Sequence, residues 1–150
     1  MSTPSKRPVF PVLIGLGLTA FTPGASGAQS YAQQVWDQLQ SRYQDVTRLG
    51  DYTLMNYVMG KLNDDAKDTW TFPLSSSTAY VLTAACDNDC SDIDLRVTDP
   101  SGGVVVEDVQ RNDFPVVAFI PPRSATYTIE ITMYACRSNP CYFGFGIFQR

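Results

Sequence analysis

The sequence after residue 50 is a succession of short apolar or alternating segments, separated by clusters of turn-forming residues at roughly ten-residue spacing. The clearest clusters are Asn63-Asp64-Asp65, Ser75-Ser76-Ser77 and Asp99-Pro100-Ser101-Gly102. The last has Pro in its second position and Gly in its fourth, which β-turns favour. Many short strands joined by tight turns favour two packed antiparallel sheets. We therefore predict a mainly β chain that folds as an antiparallel β-sandwich.

The segments between the turn clusters have the length and composition of strands. The predicted strands are Tyr52–Leu62, Thr69–Leu74, Ala79–Ala85, Ile93–Thr98, Val104–Glu107, Val116–Ile120, Thr126–Tyr134 and Tyr142–Phe148. Trp70 and Phe72 lie two residues apart, so they share one face of their strand. A chain of this length buries enough surface for one core, and we expect residues 50–150 to form a single domain.

Residues 29–49 carry apolar and aromatic side chains at helical spacing, and Gly50 is a natural end for a helix. The stripe consists of Ala32, Val35, Trp36, Leu39, Tyr43 and Val46. This pattern predicts one N-terminal amphipathic helix that packs on the sheet. A helix that binds a partner or lies on a membrane surface is the alternative. Its polar face is mainly Gln rather than basic, which favours the packed helix.

The N-terminal segment 1–28 has the organisation of a secretory signal peptide. Lys6 and Arg7 precede the apolar run 9–21, and small residues follow up to Ala28. The apolar run is shorter than the roughly 20 residues that a membrane span needs. We predict cleavage near Ala28, with an uncleaved anchor as the alternative. The mature chain is then secreted or periplasmic and has no membrane span.

The chain has four cysteines, Cys86, Cys90, Cys136 and Cys141. An even number of cysteines behind a signal peptide, without histidine, favours two disulfides over a zinc site. Four cysteines allow three pairings, which spacing alone does not resolve. The short separations within each pair favour bridges Cys86–Cys90 and Cys136–Cys141, which we expect to stiffen two loops.

Carboxylates are concentrated in one stretch, at Asp87, Asp89, Asp92 and Asp94. Asp92 and Asp94 would point to the same face of a strand. Carboxylate and backbone oxygens are the ligands that Ca²⁺ prefers, so a calcium site is one hypothesis. The alternative is solvated turn residues that bond nearby backbone N–H groups. The stretch lacks the central Gly and closing Glu of an EF-hand.

Composition argues against several classes of function. The formal net charge is −4 and no basic patch is present, which disfavours nucleic acids and anionic membrane surfaces. The absence of histidine removes the commonest general base and an important metal ligand. No Cys-x-x-Cys pair supports a thioredoxin-like redox role. A small hydrolase or redox enzyme is therefore the least favoured interpretation.

Several motifs together resemble the bacterial pre-peptidase C-terminal domain. They are Asp68-Thr69-Trp70-Thr71-Phe72, Tyr80-Val81-Leu82, Asp92-Ile93-Asp94-Leu95-Arg96-Val97, Asp99-Pro100-Ser101-Gly102 and Ala125-Thr126-Tyr127-Thr128-Ile129. The resemblance covers residues 50–150. Ala125 stands where the family usually has Gly, the cysteine pairs are additions, and no peptidase domain is attached. The resemblance implies a jelly-roll-like sandwich that serves exported enzymes as an accessory module. Some members bind calcium, and Asp92 and Asp94 match that motif best.

Two functional hypotheses follow. The first is a stand-alone, secreted, non-catalytic binding module, stabilised by calcium if the acidic stretch binds it, whose partner is a protein or polysaccharide of the exported compartment. The second is a carbohydrate- or cell-surface-binding jelly roll. It predicts solvent-facing Tyr and Phe rings on one side of the molecule.

Overall fold

The computed structural model describes residues 30–150, and the predicted signal peptide, residues 1–28, lies outside this range. The described part of the chain begins with one helix, α1 (Tyr31–Arg48). Ser30 caps its N-terminus, because the Ser30 side chain accepts a hydrogen bond of 3.2 Å from the backbone N–H of Gln33. The helix ends at Leu49, and Gly50 follows at a φ of 137°, where glycine is favoured. The predicted helix is confirmed.

Eight strands follow the helix. They are β1 (Thr53–Leu62), β2 (Ala66–Leu74), β3 (Tyr80–Cys86), β4 (Cys90–Thr98), β5 (Val104–Asp108), β6 (Val116–Phe119), β7 (Ala125–Cys136) and β8 (Cys141–Gln149). Every strand predicted from the sequence is present. β2 and β4 each begin three residues earlier than predicted, because Ala66 and Cys90 also pair with β7.

The strands form two four-stranded sheets with the orders β1-β8-β3-β6 and β2-β7-β4-β5. All pairings are antiparallel, and they are nested. β1 pairs with β8, β2 with β7, β3 with β6 and β4 with β5. A long hairpin rolled up in this way is a jelly roll. The fold is therefore a jelly-roll β-sandwich preceded by one helix.

The core lies between the two sheets. The Trp70 ring packs on Phe143 and Phe145 of the facing sheet, at centroid distances of 5.7 and 5.2 Å. Phe72 meets Phe145 edge-on at 6.3 Å, which confirms that Trp70 and Phe72 share the core face. Tyr127 is fully buried, and its hydroxyl donates a 2.7 Å hydrogen bond to the carbonyl oxygen of Arg123. This bond anchors the start of β7 to the loop before it.

The helix forms a third layer on the outer face of the first sheet. Val35 and Leu39 bury themselves with Ala85, while Val46 packs with Val81 and Phe148. β3 and β8 are consequently buried on both faces. This arrangement confirms the packed helix of the sequence prediction.

Side chains cover two backbone N–H groups on the edge strands. Asn56 Oδ1 accepts a 2.8 Å hydrogen bond from the N–H of Tyr57 on β1. Asp68 Oδ1 does the same for Thr69 on β2, also at 2.8 Å. Unpaired edge groups attract other strands, and both edges are partly blocked in this way.

Candidate functional site

The four cysteines form the two local disulfides, Cys86–Cys90 and Cys136–Cys141, with Cα–Cα distances of 5.8 Å in both. Each bridge connects the end of a strand in one sheet to the start of a strand in the other. Cys90 and Cys136 are also cross-strand neighbours, so both bridges lie at the same end of the sandwich. The bridges therefore clamp the two sheets together, in addition to stiffening the predicted loops.

Asp87 is a structural residue of this end. It is buried, and its carboxylate accepts backbone hydrogen bonds from Asp89 at 3.1 Å and from Tyr142 at 2.7 Å. Satisfying two N–H groups with one carboxylate fixes the β3–β4 turn against β8. Asp87 thus bonds backbone N–H groups while lying buried and not solvated.

Asp89 belongs to a surface ion pair. Its Oδ1 lies 2.6 Å from the guanidinium of Arg137, and the Tyr31 hydroxyl also hydrogen-bonds this carboxylate. The hydrogen bond from Arg137 holds the pKa of Asp89 below its usual value, while the bond to Asp89 raises the pKa of Tyr31. This carboxylate thus connects the helix N-terminus to the two disulfide loops.

Asp92 and Asp94 lie close together on β4. Neither takes part in the contacts described for Asp87 and Asp89. Asp92 is 8% exposed, and its Oδ1 has no hydrogen-bond partner among the atoms of the described residues. Burial raises the pKa of Asp94, and the charge of Asp92 raises it further. Register shifts flank Asp92, which explains why its exposure differs from that of Asp94.

The four acidic residues therefore do not converge on one point. Within residues 30–150, no group of three or more His, Cys, Asp or Glu side chains is arranged to hold a metal ion. Asp92 and Asp94 alone supply fewer than the six to eight oxygens that Ca²⁺ prefers. The calcium hypothesis remains a prediction, and it now concerns these two residues.

A groove of about 400 Å³ runs between α1 and β1. We call it the aromatic groove. Its lining consists of Trp36, Leu39, Gln40, Tyr43, Gln44, Leu54, Tyr57, Gly146 and Phe148. Tyr57, Tyr43 and Leu54 are 49%, 41% and 40% exposed. The Trp36 and Tyr57 rings are 5.2 Å apart, and Tyr43 lies 5.6 Å from Phe148. The groove therefore presents apolar rings to solvent.

The groove exists because the helix lies over β8 and β3 and leaves the outer face of β1 largely uncovered. Gly146 contributes the floor, where a Cβ would lie 3.0 Å from the Phe148 ring and 3.5 Å from Leu54. A larger residue here would displace these side chains. Glycine thus lets the ring of Phe148 close the bottom of the groove.

The glutamines of the helix serve two different purposes. Gln38 Nε2 donates a 2.9 Å hydrogen bond to the carbonyl oxygen of Cys86, and Gln34 accepts a 3.4 Å bond from the N–H of Asn88. These two fasten α1 to the first disulfide loop. Gln40 and Gln44 are exposed and line the aromatic groove instead. Among the described residues, no carboxylate, amine or guanidinium belongs to the lining of this groove.

Sequence reasoning placed Tyr43 in a stripe packed on the sheet and did not identify the groove. The structure leaves Tyr43 and Tyr57 substantially exposed, with Trp36 half-buried between helix and strand. The sequence did contain a signal for this exposure. Gln40 and Gln44 are polar and lie one helical turn apart on the same side of the helix as Tyr43.

The comparisons with known proteins add little to this geometry. No protein-family model matches the chain, and no curated protein matches its sequence. The crystal structure of Aeromonas hydrophila PliG, a periplasmic lysozyme inhibitor of g-type lysozyme, is similar at a TM-score of 0.46 and 13% identity. The likeness covers 63% of this chain and 85% of that one. A likeness at this level carries no argument about function. The functional argument therefore rests on the residues of this chain.

Within residues 30–150, no helix combines the length and the apolar character that crossing a membrane requires.

Proposed function

We propose that this protein is an exported, non-catalytic binding module that takes an uncharged ligand in its aromatic groove. The observation that carries the proposal is the groove itself, with exposed Tyr43 and Tyr57 rings above a floor of Gly146 and Phe148. Concave, mainly apolar sites with a few polar groups are the usual form of small-ligand sites.

Export is supported by the signal-like segment 1–28 and by the disulfides. Cys86–Cys90 and Cys136–Cys141 both join strands of different sheets, so the bridges belong to the architecture. Disulfides of this kind form and persist in oxidising compartments. The protein then works in the periplasm or outside the cell.

The non-catalytic part of the proposal follows from the chemistry of the groove. Proton transfer at neutral pH needs a group whose pKa lies near the operating pH. The groove offers aromatic rings, tyrosine hydroxyls and the amides of Gln40 and Gln44. These groups stack and form hydrogen bonds. The lining therefore suits binding.

Tryptophan fluorescence tests the proposal. Trp70→Phe removes the core tryptophan and leaves Trp36, in the groove, as the remaining one. We expect a saturable change in Trp36 emission with an uncharged probe, either a neutral oligosaccharide or a blocked apolar peptide. Tyr57→Ala should shift the saturation to at least about tenfold higher probe concentration. Tyr134→Ala is the matched control, because Tyr134 is 59% exposed on the other sheet. Saturation by charged probes alone, or by none, would refute the proposal.

A further inference from the structure

We infer that the ligand of the aromatic groove is a neutral, β-linked saccharide chain. The inference rests on the proposed function and deepens it, since it names the chemical class of the ligand. Three features of the groove carry the inference. Its tyrosine rings are exposed, two adjacent glutamine amides line it, and none of its described lining residues is charged.

The rings of the groove match the faces of such a sugar. A β-linked pyranose with equatorial hydroxyls has two flat faces made of C–H groups, and aromatic rings bind these faces by stacking. Tyr43 and Tyr57 expose large fractions of their surface from opposite sides of the groove, one on α1 and one on β1. Tyrosine also adds a hydroxyl at the edge of each ring, where it meets solvent or a polar ligand.

The amides match the rim of the sugar. Hydroxyl groups both donate and accept hydrogen bonds, and a glutamine amide does the same with its two ends. Gln40 and Gln44 stand one turn apart on the helical wall, and the hydrogen bonds within the described chain do not engage either amide. Gln34 and Gln38, in contrast, are fastened to the first disulfide loop. The wall therefore keeps two adjacent amides available for a repeating ligand.

Charge argues for a neutral chain. Residues 30–150 contribute no cation to the lining that would pair with a uronate or sulfate group, and the whole sequence has a net charge of −4. An acidic protein repels polyanions. A neutral chain avoids this repulsion and the cost of bringing an unpaired charge against apolar rings.

An extended peptide fits the groove less well. The edge of β1 beside the groove would pair with a peptide strand through its backbone N–H groups. The N–H of Tyr57, at the middle of this edge, is already bonded to Asn56 Oδ1. Strand addition there would have to break that bond.

Isothermal titration of the oxidised mature protein tests the inference with four probes. They are cellohexaose, chitohexaose, hexagalacturonate and a blocked, uncharged Leu-Phe peptide. We expect either cellohexaose or chitohexaose to bind saturably. Hexagalacturonate and the peptide should give no heat. The fold of each variant is checked by its thermal midpoint.

Two kinds of variant locate the binding. Tyr57→Ala should weaken saccharide binding about tenfold or more, equivalent to about 1.4 kcal/mol, whereas Tyr134→Ala should change it less than about twofold. The double change Gln40→Leu with Gln44→Leu also serves if Tyr57→Ala unfolds, because both positions are exposed on the helix. It should weaken saccharide binding about tenfold, because the hydroxyls of the sugar lose both amide partners.

The other outcomes are separable. Peptide binding that depends on Tyr57, without saccharide binding, overturns the inference and leaves the proposed function standing. Binding of hexagalacturonate alone, or of no probe, overturns both. Saccharide binding that neither groove variant affects would place the sugar elsewhere and also overturn the inference.

Discussion

Leu39 of the helix rests directly on the backbone of Gly144 in β8. A Cβ added to Gly144 would lie 2.6 Å from Leu39 Cδ1, closer than real Cβ contacts allow. It would also lie 3.1 Å from Val35 and 3.2 Å from the carbonyl oxygen of Val58. Glycine at this position therefore sets how closely the helix approaches the sheet and, with that, the width of the aromatic groove.

Gly144→Ala should lift the helix and lower the free energy of unfolding. Overpacking of this kind costs about 1–3 kcal/mol. Denaturant unfolding followed by circular dichroism measures the loss. Gly103→Ala is the control, because the nearest atom to its Cβ would be Asp99 Oδ1 at an ordinary 3.5 Å. The control should cost less than about 0.5 kcal/mol, as surface substitutions usually do. Equal losses would show that the Leu39 contact is unimportant.

The two disulfides should differ in their effect on the helix. Replacing both cysteines of either pair by Ser should cost about 2 kcal/mol for a loop this short in the chain-entropy model. Loss of Cys86–Cys90 should also speed amide exchange in α1, because Gln38 holds the carbonyl oxygen of Cys86.

Loss of the other bridge, Cys136–Cys141, should leave exchange in the helix nearly unchanged. Asp64 still braces that loop through 2.6 Å hydrogen bonds with the N–H of Cys136 and with Asn139 Oδ1. Hydrogen-exchange mass spectrometry of both variants makes the comparison. Equal acceleration in both would contradict the role of Gln38.

The secondary structure was predictable because it is encoded locally. Apolar spacing identified the helix, and turn clusters such as Asp99–Gly102 separated the strands. The hydrogen bond from the Gly102 N–H to the Asp99 carbonyl oxygen, 2.9 Å long, confirms that turn. The strand beginnings at Ala66 and Cys90 were missed, since pairing with β7 holds them in spite of their polar neighbours.

The groove was not predictable in the same way. It depends on which strands the helix covers, and this lateral position depends on long-range contacts such as Leu39 with Gly144. The acidic stretch illustrates the same limit. Period two placed Asp92 and Asp94 on one face, but the register shifts beside Asp92 arise from the pairing of β4 with β7, which the local sequence of β4 does not encode.

Asp94 should make the folded protein less stable at neutral pH than at acidic pH. Its pKa is raised in the folded state, first by burial and then by the charge of Asp92. The folded state then binds a proton more tightly than the unfolded chain, whose Asp pKa is about 3.9. The contribution of Asp94 to the stability of the fold therefore falls as the pH rises through the window between the two pKa values.

Asp94→Asn should thus raise the thermal midpoint at pH 7, and the gain should shrink towards zero below the unfolded pKa of about 3.9. The thermal midpoint is measured in EDTA at several pH values between pH 7 and about 3.9. Asp51→Asn is the control, because it changes the net charge equally at an exposed position. The same gain in both variants would assign the effect to net charge and not to the burial of Asp94.

Calcium gives a separate prediction for the same pair. If Asp92 and Asp94 bind Ca²⁺, a concentration of about 100 times Kd should stabilise the fold by about 2.7 kcal/mol. The thermal midpoint in millimolar Ca²⁺ should then exceed that in EDTA by several degrees, and Asp92→Asn should remove the difference. Asp89→Asn should leave the difference in midpoint unchanged, because the Asp89 carboxylate forms an ion pair with Arg137. An unchanged midpoint in the wild type would reject the calcium site.

The strand order has a consequence for how the protein is made. β7 and β8 come last along the chain, yet each is an inner strand of its sheet, between β2 and β4 and between β1 and β3. Until residues 125–149 have left the ribosome, β1 and β2 have no strand to pair with, and only the β3–β6 and β4–β5 pairs can form. The sandwich therefore closes only when synthesis is nearly complete, and until then the emerging chain lacks the folded core that would block its passage through a narrow export channel.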